Sequence, residues 1–260
     1  MTASGAPDAK MLQASGLAKA YGGGDVVVDF SLRVARGETV ALLGPNGAGK
    51  TTVFSMITGV TRPDAGAVRI DGIDVTKMPV YARARLGLSY LPQETSVFRG
   101  LSVEDNILLY LESIEPDRRR RARRLEELLA EVGLADMRRQ RASRLSGGQR
   151  RRCEIARALA ADPRYILLDE PFAGIDPLAV SHVQATIRDL SARGLGVLVS
   201  DHNVRETLAI VDRAYVIESG YLLAHGTPGE IIGDEQVRRL YLGSTFAAPP
   251  SGAAPPGPTA

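Results

Sequence analysis

A glycine-rich loop that ends in a lysine and two threonines is the segment of this sequence with the clearest chemistry. It comprises Gly44, Pro45, Asn46, Gly47, Ala48, Gly49, Lys50, Thr51 and Thr52. Glycines let backbone N–H groups turn toward an anion, and the start of the following helix adds its dipole. Lys50 can neutralise the β and γ phosphates of a nucleotide, and Thr51 can ligate Mg²⁺. The spacing, between an apolar strand and a helix, predicts a phosphate-binding loop rather than an incidental glycine turn.

Two adjacent acids close an apolar run later in the chain. Tyr165–Leu168 has the composition of a buried strand, and Asp169 and Glu170 follow it directly. An unpaired buried charge is costly, so a buried strand has no structural use for two neighbouring carboxylates. At the carboxyl end of a strand, Asp169 can hold Mg²⁺, directly or through water, and Glu170 can orient or deprotonate an attacking water. Solvated acids are the ordinary alternative, but the phosphate loop favours the catalytic interpretation.

A second helix start of the kind that binds anions lies between these two segments. It comprises Leu145, Ser146, Gly147, Gly148 and Gln149, and a helical stretch over 150–161 follows. A serine before two glycines can cap the helix and leave N–H groups facing a phosphate. One bound nucleotide does not need two such sites, so the sequence suggests that another subunit brings its own nucleotide.

The strands that must position these segments can be read from apolar runs. Thr39–Leu43 is a continuous apolar strand that leads directly into the phosphate loop. Short apolar runs separated by helical stretches are typical of a buried parallel sheet. Those runs are Tyr165–Leu168, Gly196–Ser200 and Ala214–Ile217. The N-terminal part predicts further strands over Leu12–Leu17, Val26–Val34 and Leu86–Leu91, and a hairpin over 66–75.

A helical lobe is predicted between these two sets of strands. From Ser102 to Arg144 the pattern changes to helix, and Ser102 is the predicted cap of its first segment. Apolar residues at helical spacing share one face before Gly133 ends the second segment. They are Leu125, Leu128, Leu129 and Val132.

Composition places the chain among ordinary globular proteins. Of 260 residues, 44% are apolar and 24% charged, which excludes a collagenous, coiled-coil or largely disordered chain. The net charge of +2 demands no nucleic-acid partner. A single cysteine, Cys153, and a start without a signal-peptide core indicate a reducing cytosol. Residues 247–260 are small residues, proline and one threonine, and predict a disordered tail.

Together, the phosphate loop, the Asp169–Glu170 strand end and the LSGGQ of residues 145–149 resemble the ATP-binding cassette (ABC) family, over about residues 10–243. The resemblance implies an α/β P-loop NTPase with a mixed, largely parallel core sheet and an antiparallel β subdomain. It also implies an α-helical subdomain inserted over about residues 95–160. ATP and Mg²⁺ are the implied ligands, and the implied partner is a second copy, arranged head to tail so that each LSGGQ closes over the other chain's ATP.

Four further positions match the pattern of that family. Tyr21 corresponds to an aromatic that stacks on adenine, Gln93 to a glutamine that contacts Mg²⁺ and the attacking water, and His202 to a histidine that contacts the γ-phosphate. Asp176 falls in the loop that crosses the dimer interface, although AGID stands here where many cassettes have SALD. Each position has an ordinary alternative, such as a packing role for Tyr21 or a surface position for His202.

Longer stretches resemble the ATPase subunits of bacterial lipopolysaccharide exporters. They include YLPQETSVFRGLSVEDNI over 90–107, FAGIDP over 172–177 and DHNVRE over 201–206. The likeness implies two copies on the cytoplasmic face of the inner membrane, bound to membrane subunits and powering lipopolysaccharide extraction and export. ATPases of branched-chain amino-acid importers are the nearest rival. Nucleic-acid-associated ABC ATPases usually carry coiled coils or two cassettes, which this sequence lacks, so no nucleic-acid partner is expected.

Two features have open interpretations. Phe98, five residues after Gln93, is predicted either to receive a helix of the membrane partner or to lie in the core of the helical lobe. The run from Arg118 to Arg124 contains six arginines and is typical of a solvated helix face. Contact with anionic lipid or nucleic acid is the alternative for this run.

Overall fold

Two β-sheets and a set of helices make up the computed structural model, which describes residues 10–242. Within that range the strands are β1 Met11–Tyr21, β2 Gly24–Ala35, β3 Thr39–Leu43, β4 Ala65–Ile70, β5 Ile73–Asp74, β6 Leu88–Leu91, β7 Tyr165–Asp169, β8 Gly196–Ser200, β9 Arg213–Glu218 and β10 Tyr221–Gly226. The central sheet has the order β10-β9-β3-β8-β7-β6, and the second sheet has the order β2-β1-β4-β5. The predicted α/β fold with a mixed core sheet and an antiparallel subdomain is confirmed.

The helices of the same range connect and cover the central sheet. They are α1 Lys50–Thr58, α2 Val80–Arg85, α3 Val103–Ile114, α4 Arg118–Glu131, α5 Gly147–Leu159, α6 Pro177–Ala192, α7 Val204–Leu208, α8 Pro228–Gly233 and α9 Glu235–Val237. Ser102 caps α3 in a reciprocal pair of bonds with Asp105, as its sequence position predicts. Gly133 has a φ of 62° just beyond the end of α4, where a left-handed residue stops a helix.

The central sheet separates two hydrophobic cores. Its strands β6, β7, β8, β3 and β9 are parallel, and β10 is antiparallel to β9 at one edge. Successive side chains of a strand point to opposite faces. In β3, Val40 and Leu42 therefore pack toward the second sheet and α1, while Ala41 and Leu43 pack toward the helical layer. Burial on both faces explains why these strands read as uninterrupted apolar runs.

The antiparallel sheet differs from its prediction in length. β1 continues to Tyr21 and β2 begins at Gly24, beyond the predicted Leu12–Leu17 and Val26–Val34. The pairing of β1 with β2 shifts register several times, and such irregularities let a ladder continue where alternation of apolar and polar residues is lost. The predicted hairpin over 66–75 is present, with positive φ at Asp71 and Gly72 in its turn.

Gly243 and the predicted disordered tail at 247–260 lie outside the described residues. Among residues 10–242, none of the helices combines the length and the hydropathy that crossing a bilayer requires.

Candidate functional site

The phosphate loop connects β3 to α1, as predicted. Gly44 and Gly49 have φ angles of 155° and 108°, which side-chain-bearing residues rarely adopt. A Cβ atom on Gly44 would collide with the carbonyl oxygen of Ile217, and one on Gly49 would lie 2.8 Å from the carbonyl oxygen of Val26. The loop is therefore packed so closely on β9 and β2 that only glycine fits at these two positions.

Gly220, in the turn between β9 and β10, joins the phosphate loop to the antiparallel sheet. Its N–H donates to the carbonyl of Ala48 at 3.1 Å, and its own carbonyl accepts from the N–H of Val28 at 2.9 Å. One glycine of the C-terminal part of the chain thus holds the loop and β2 together.

Lys50 is the first residue of α1, and only 7% of its surface is exposed. Its Nζ donates to the carbonyl oxygens of Gly44 at 2.6 Å and Pro45 at 2.9 Å. Burial lowers the pKa of the Lys50 ammonium, and the nearby carboxylates of Glu170 and Asp169 oppose that shift. The two carbonyls that hold this ammonium are neutral acceptors, which an anionic phosphate oxygen can replace with a stronger, charge-assisted bond.

Asp169 ends β7 and is buried at the carboxyl edge of the central sheet. Its Oδ1 accepts a hydrogen bond from the hydroxyl of Ser200, and its Oδ2 accepts one from the hydroxyl of Tyr90 at 3.3 Å. Burial, with the charge of Asp169 beside it, raises the pKa of Tyr90, so this hydroxyl stays protonated and remains a donor. Two hydroxyl groups from neighbouring strands therefore fix the orientation of the carboxylate.

Glu170 brings the three predicted catalytic residues together. Its Oε2 accepts a hydrogen bond from Gln93 Nε2 at 2.9 Å and lies 3.4 Å from Nδ1 of His202. Its φ of 45° is left-handed, a conformation that costs about 1–3 kcal/mol in a residue other than glycine. The N–H of Glu170 donates to the carbonyl of Ser200 at 2.7 Å, which holds this turn in place.

Asp201 was not a predicted site residue, yet its Oδ1 lies 3.6 Å from Nδ1 of His202. Its side chain is fully buried and accepts from the N–H groups of Phe172 at 3.0 Å and Asn203 at 2.8 Å. Burial raises the pKa of the Asp201 carboxyl, and the two backbone donors act against this shift. In the sequence, the position of this acid between an apolar strand and His202 could have identified Asp201 as a site residue.

A buried ion pair on α5 is the second feature that the sequence analysis missed. The guanidinium of Arg151 donates to Glu154 Oε2 at 3.2 Å, to the carbonyl of Pro92 at 2.9 Å and to the carbonyl of Asp169 at 2.6 Å. Glu154 Oε1 accepts from the N–H of Ser96 at 2.7 Å. The side chains of the pair are 7% and 2% exposed.

This ion pair connects α5 to the two segments that carry Gln93 and Glu170. Pro92 immediately precedes Gln93, and Asp169 immediately precedes Glu170, so both glutamine and glutamate follow backbone atoms that Arg151 holds. The ion pair could have been predicted from the sequence, because Arg151 and Glu154 are opposite charges at i and i+3 in a helical stretch that also carries buried apolar residues.

Ser146 caps α5, as its sequence position predicts. The N–H of Gln149 donates to Ser146 Oγ at 3.3 Å, and the N–H of Ser146 donates to Gln149 Oε1 at 2.8 Å. A Cβ atom on Gly148 would lie 2.5 Å from the Cβ of Ala179, so the glycine lets α5 approach α6 closely.

Ser146 lines a cavity whose walls, among the described residues, do not include Lys50. A cavity of about 190 Å³ is lined by Ser146 and Gln149 of α5 together with Asp176 and His182 near the start of α6, and Lys50 is not part of it. Asp176 also caps α6, since its carboxylate accepts from the N–H of Ala179 at 2.9 Å.

The remaining predicted residues lie at the surface. Tyr21 is 50% exposed at the end of β1, and Thr51 is exposed on the first turn of α1 beside the half-buried Thr52. Phe98 is 47% exposed, and the guanidinium of Arg157 lies 5.1 Å from the centre of its ring. The alternative that placed Phe98 in the core of the helical lobe is therefore wrong.

Comparison with known proteins identifies the family. The family model described as ABC transporter matches residues 27–173. The chain is 61% identical over 235 residues to a probable ABC transporter ATP-binding protein of Azorhizobium caulinodans, covering 90% of this chain and 84% of that one. It is 54% identical over 237 residues to the lipopolysaccharide export system ATP-binding protein LptB of Escherichia coli K12, covering 90% and 98% of the two chains. The ADP conformation of MJ1267, an ATP-binding cassette of an ABC transporter, matches with a TM-score of 0.81 at 25% identity, over 90% of this chain and 99% of that one. The protein belongs to the ABC transporter family and is one of its ATP-hydrolysing cassettes.

Proposed function

We propose that this protein is the ATPase subunit of a lipopolysaccharide exporter and works as a head-to-tail dimer beneath membrane subunits. The observation that carries the proposal is the contact of Gln93 and His202 with one oxygen of Glu170. This contact occurs in a chain that is 54% identical to LptB of Escherichia coli K12. That likeness supports export of lipopolysaccharide over import of branched-chain amino acids. It also favours a transporter over a nucleic-acid-associated ATPase, and we expect no nucleic-acid partner.

The phosphate loop fits the triphosphate of ATP. Lys50 and the N–H groups of residues 46–51 supply the positive potential, and the half-exposed ring of Tyr21 offers a face for adenine. We assign the Mg²⁺ ligands to Thr51, Gln93 and Asp169, whose side chains offer the oxygen donors that this ion prefers. When bound, Mg²⁺ neutralises charge on the β and γ phosphate oxygens. Because both oxygens of Asp169 already accept hydroxyl bonds, this residue suits a contact through water.

Glu170 is the proton acceptor of the proposed reaction. Its Oε2 takes a proton from water while the water oxygen attacks the γ-phosphorus, and the bond from that phosphorus to the β–γ bridging oxygen breaks. Gln93 holds the accepting oxygen through its amide, at 2.9 Å. We assign to His202, which is 56% exposed on its side chain, a contact with a γ-phosphate oxygen.

The proposed dimer uses both anion-binding helix starts of the chain, of which one bound nucleotide needs only one. Ser146 lines a cavity with Asp176 near the start of α6. We propose that a nucleotide held by Lys50 of one chain meets Ser146 of a second copy, and a two-fold axis then makes both sites equivalent. In this arrangement Asp176 lies beside the interface that its sequence position suggests.

An apolar groove beside Phe98 is the proposed docking site for the membrane subunits. We name it the docking groove; its volume is about 280 Å³, and its walls include Val80, Tyr90, Tyr110 and Arg157. Arg157 also stacks on the exposed ring of Phe98, which extends the apolar surface beyond the groove. A helix of a membrane subunit seated here would hold the ATPase on the cytoplasmic face of the bacterial inner membrane.

The test is the substitution Glu170→Gln, with Glu112→Gln on the exposed face of α3 as a control. The amide cannot accept the proton, so we expect steady-state ATP hydrolysis to fall at least a hundredfold while ATP binding is kept. ATP should then hold the dimer, as measured by size-exclusion chromatography. Hydrolysis within a few-fold of the control would remove Glu170 from its assigned role. Failure of the chain to co-purify with lipopolysaccharide-exporting membrane subunits would overturn the transport assignment.

A further inference from the structure

We infer that the arginine run at the start of α4 binds anionic lipid headgroups at the surface of the membrane. We use the name arginine run for Arg118, Arg119, Arg120, Arg121, Arg123 and Arg124. Within the described residues, Arg118, Arg119 and Arg123 are exposed and have no carboxylate within 4.0 Å. Arg124, in contrast, pairs with Glu127 at 3.2 Å and Glu131 at 3.3 Å. Three guanidinium groups are therefore free to meet an external anion.

The stability of α4 does not account for these arginines. The positive end of a helix dipole lies at its N-terminus, where acids stabilise and cations destabilise, and the first turn of α4 contains no acid. Arg119 and Arg123 are four residues apart on one face, a spacing at which like charges repel. Three contacts favour this end: Asp117 caps the N–H groups of Arg119 and Arg120, Arg121 donates to the carbonyl of Glu115 at 3.0 Å, and Arg120 lies 3.9 Å from the Glu115 carboxylate. Among the described residues, none of them uses the side chains of Arg118, Arg119 or Arg123. An external negative surface would relieve the repulsion between those three guanidinium groups.

The arginine run adjoins the docking groove. A cavity of about 410 Å³ beside the run is lined by Leu111 and Ile114 of α3, by Arg120 and Arg124, by Ala160 at the end of α5, and by the acids Glu115, Glu127 and Asp162. These acids face Arg120 and Arg124 and leave Arg118, Arg119 and Arg123 as the arginines available to an external anion. The docking groove is lined by the preceding residue of α3, Tyr110, and by Ala158 and Ala161 around the same end of α5. The two surfaces therefore share the walls formed by these helices.

The occupant follows from this continuity and from charge. If the docking groove receives the membrane subunits, as proposed above, the bilayer lies on the same side of the molecule as the arginine run. Guanidinium groups bind phosphate with paired hydrogen bonds, and anionic lipids give the cytoplasmic leaflet a negative surface potential. Ile114, which is 49% exposed at the end of α3, adds an apolar side chain beside the arginines. This inference rests on the proposed function, because the docking of the membrane subunits places the bilayer beside the arginine run.

Sedimentation of the full chain with lipid vesicles tests the inference. The vesicles are pure phosphatidylcholine, or phosphatidylcholine with about one third phosphatidylglycerol, at low and at physiological salt. Each arginine near an anionic surface contributes roughly fivefold in partitioning. The triple variant Arg118→Gln, Arg119→Gln and Arg123→Gln should therefore bind the anionic vesicles on the order of a hundredfold more weakly than the wild type. Glutamine keeps the helix propensity, so the melting temperature should be unchanged or higher.

A matched triple variant controls for the change in net charge. Arg69→Gln, Arg205→Gln and Arg239→Gln removes three exposed arginines elsewhere, and it should bind within a few-fold of the wild type. Equal binding by the two triple variants, or equal binding of the wild type to both kinds of vesicle, would overturn the inference. The inference would also be overturned if the wild type bound duplex DNA more tightly than anionic vesicles and the arginine triple variant lost this DNA binding. Because ATP hydrolysis is measured separately and without lipid, failure here leaves the proposed function intact.

Discussion

Arg151 is the side chain whose replacement should reveal most about how the site is held together. We consider Arg151→Met, which fills similar volume without charge. The change leaves Glu154 buried with one remaining bond, from the N–H of Ser96 at 2.7 Å. It also removes the donors to the carbonyls of Pro92 and Asp169. The methionine is therefore expected to destabilise the protein mainly through the carboxylate that it leaves behind.

The size of the loss can be worked out from this geometry. Breaking a buried ion pair by removing one partner costs about 3–5 kcal/mol, because the remaining charge is uncompensated. For a domain of this size each kcal/mol lowers the melting temperature by roughly 2–4 °C, which gives a fall of about 6–20 °C. In the double variant Arg151→Met/Glu154→Met no charge is left buried, so the loss should shrink to about 1–3 kcal/mol.

Arg152→Met on the same helix is the control. Arg152 donates to the carbonyls of Val132 at 2.9 Å and Gly133 at 3.2 Å and has no carboxylate partner within residues 10–242, so its loss should cost about 1–2 kcal/mol. Urea unfolding followed by circular dichroism measures all four chains under one condition. If Arg151→Met were no worse than Arg152→Met, or if the double variant were less stable than Arg151→Met, the reasoning from the buried charge would be refuted.

Two further predictions concern the nucleotide and the membrane partner. Lys50→Ala should weaken ATP binding by at least tenfold, because the phosphate loop loses its buried ammonium. An ATP affinity equal to that of the wild type, measured by calorimetry, would contradict this prediction. Phe98→Ala should lower stability by only about 1 kcal/mol, because its ring is half-exposed, and should leave the isolated ATPase rate unchanged while binding to solubilised membrane subunits falls. A large drop in melting temperature with intact partner binding would show that Phe98 acts through packing instead.

The sequence was most informative where chemistry and local structure depend on near neighbours. The phosphate loop, the Ser146 cap and the hairpin turn at Asp71 are each determined within a few residues, and the structure has them where the motifs predict. The apolar strands were equally readable, because burial on both faces leaves little room for polar residues. Gln93 was included among the candidate site residues only because of the resemblance to a family, and its contact with Glu170 was not predicted.

What the sequence did not reveal depends on distant contacts. Arg151 bonds to a carbonyl 59 residues earlier and to another 18 residues later, and no local pattern encodes such pairs. The extension of β1 to Tyr21 depends on register shifts, which alternation does not predict. The position of Phe98 depends on Asn106, whose buried side chain exchanges hydrogen bonds with the Phe98 backbone and fixes that backbone against α3.

The bonds of Gly220 have a consequence for the order of events during synthesis. The phosphate loop leaves the ribosome well before its neighbours Ile217, in β9, and Gly220, in the turn that follows β9. Strand β3 likewise waits for β8 and β9, its partners in the sheet. Such long-range pairing slows folding and leaves apolar strands exposed in the nascent chain. The phosphate loop therefore reaches its final packing only after β9 and its turn emerge, and until then apolar strands of the growing chain are open to aggregation.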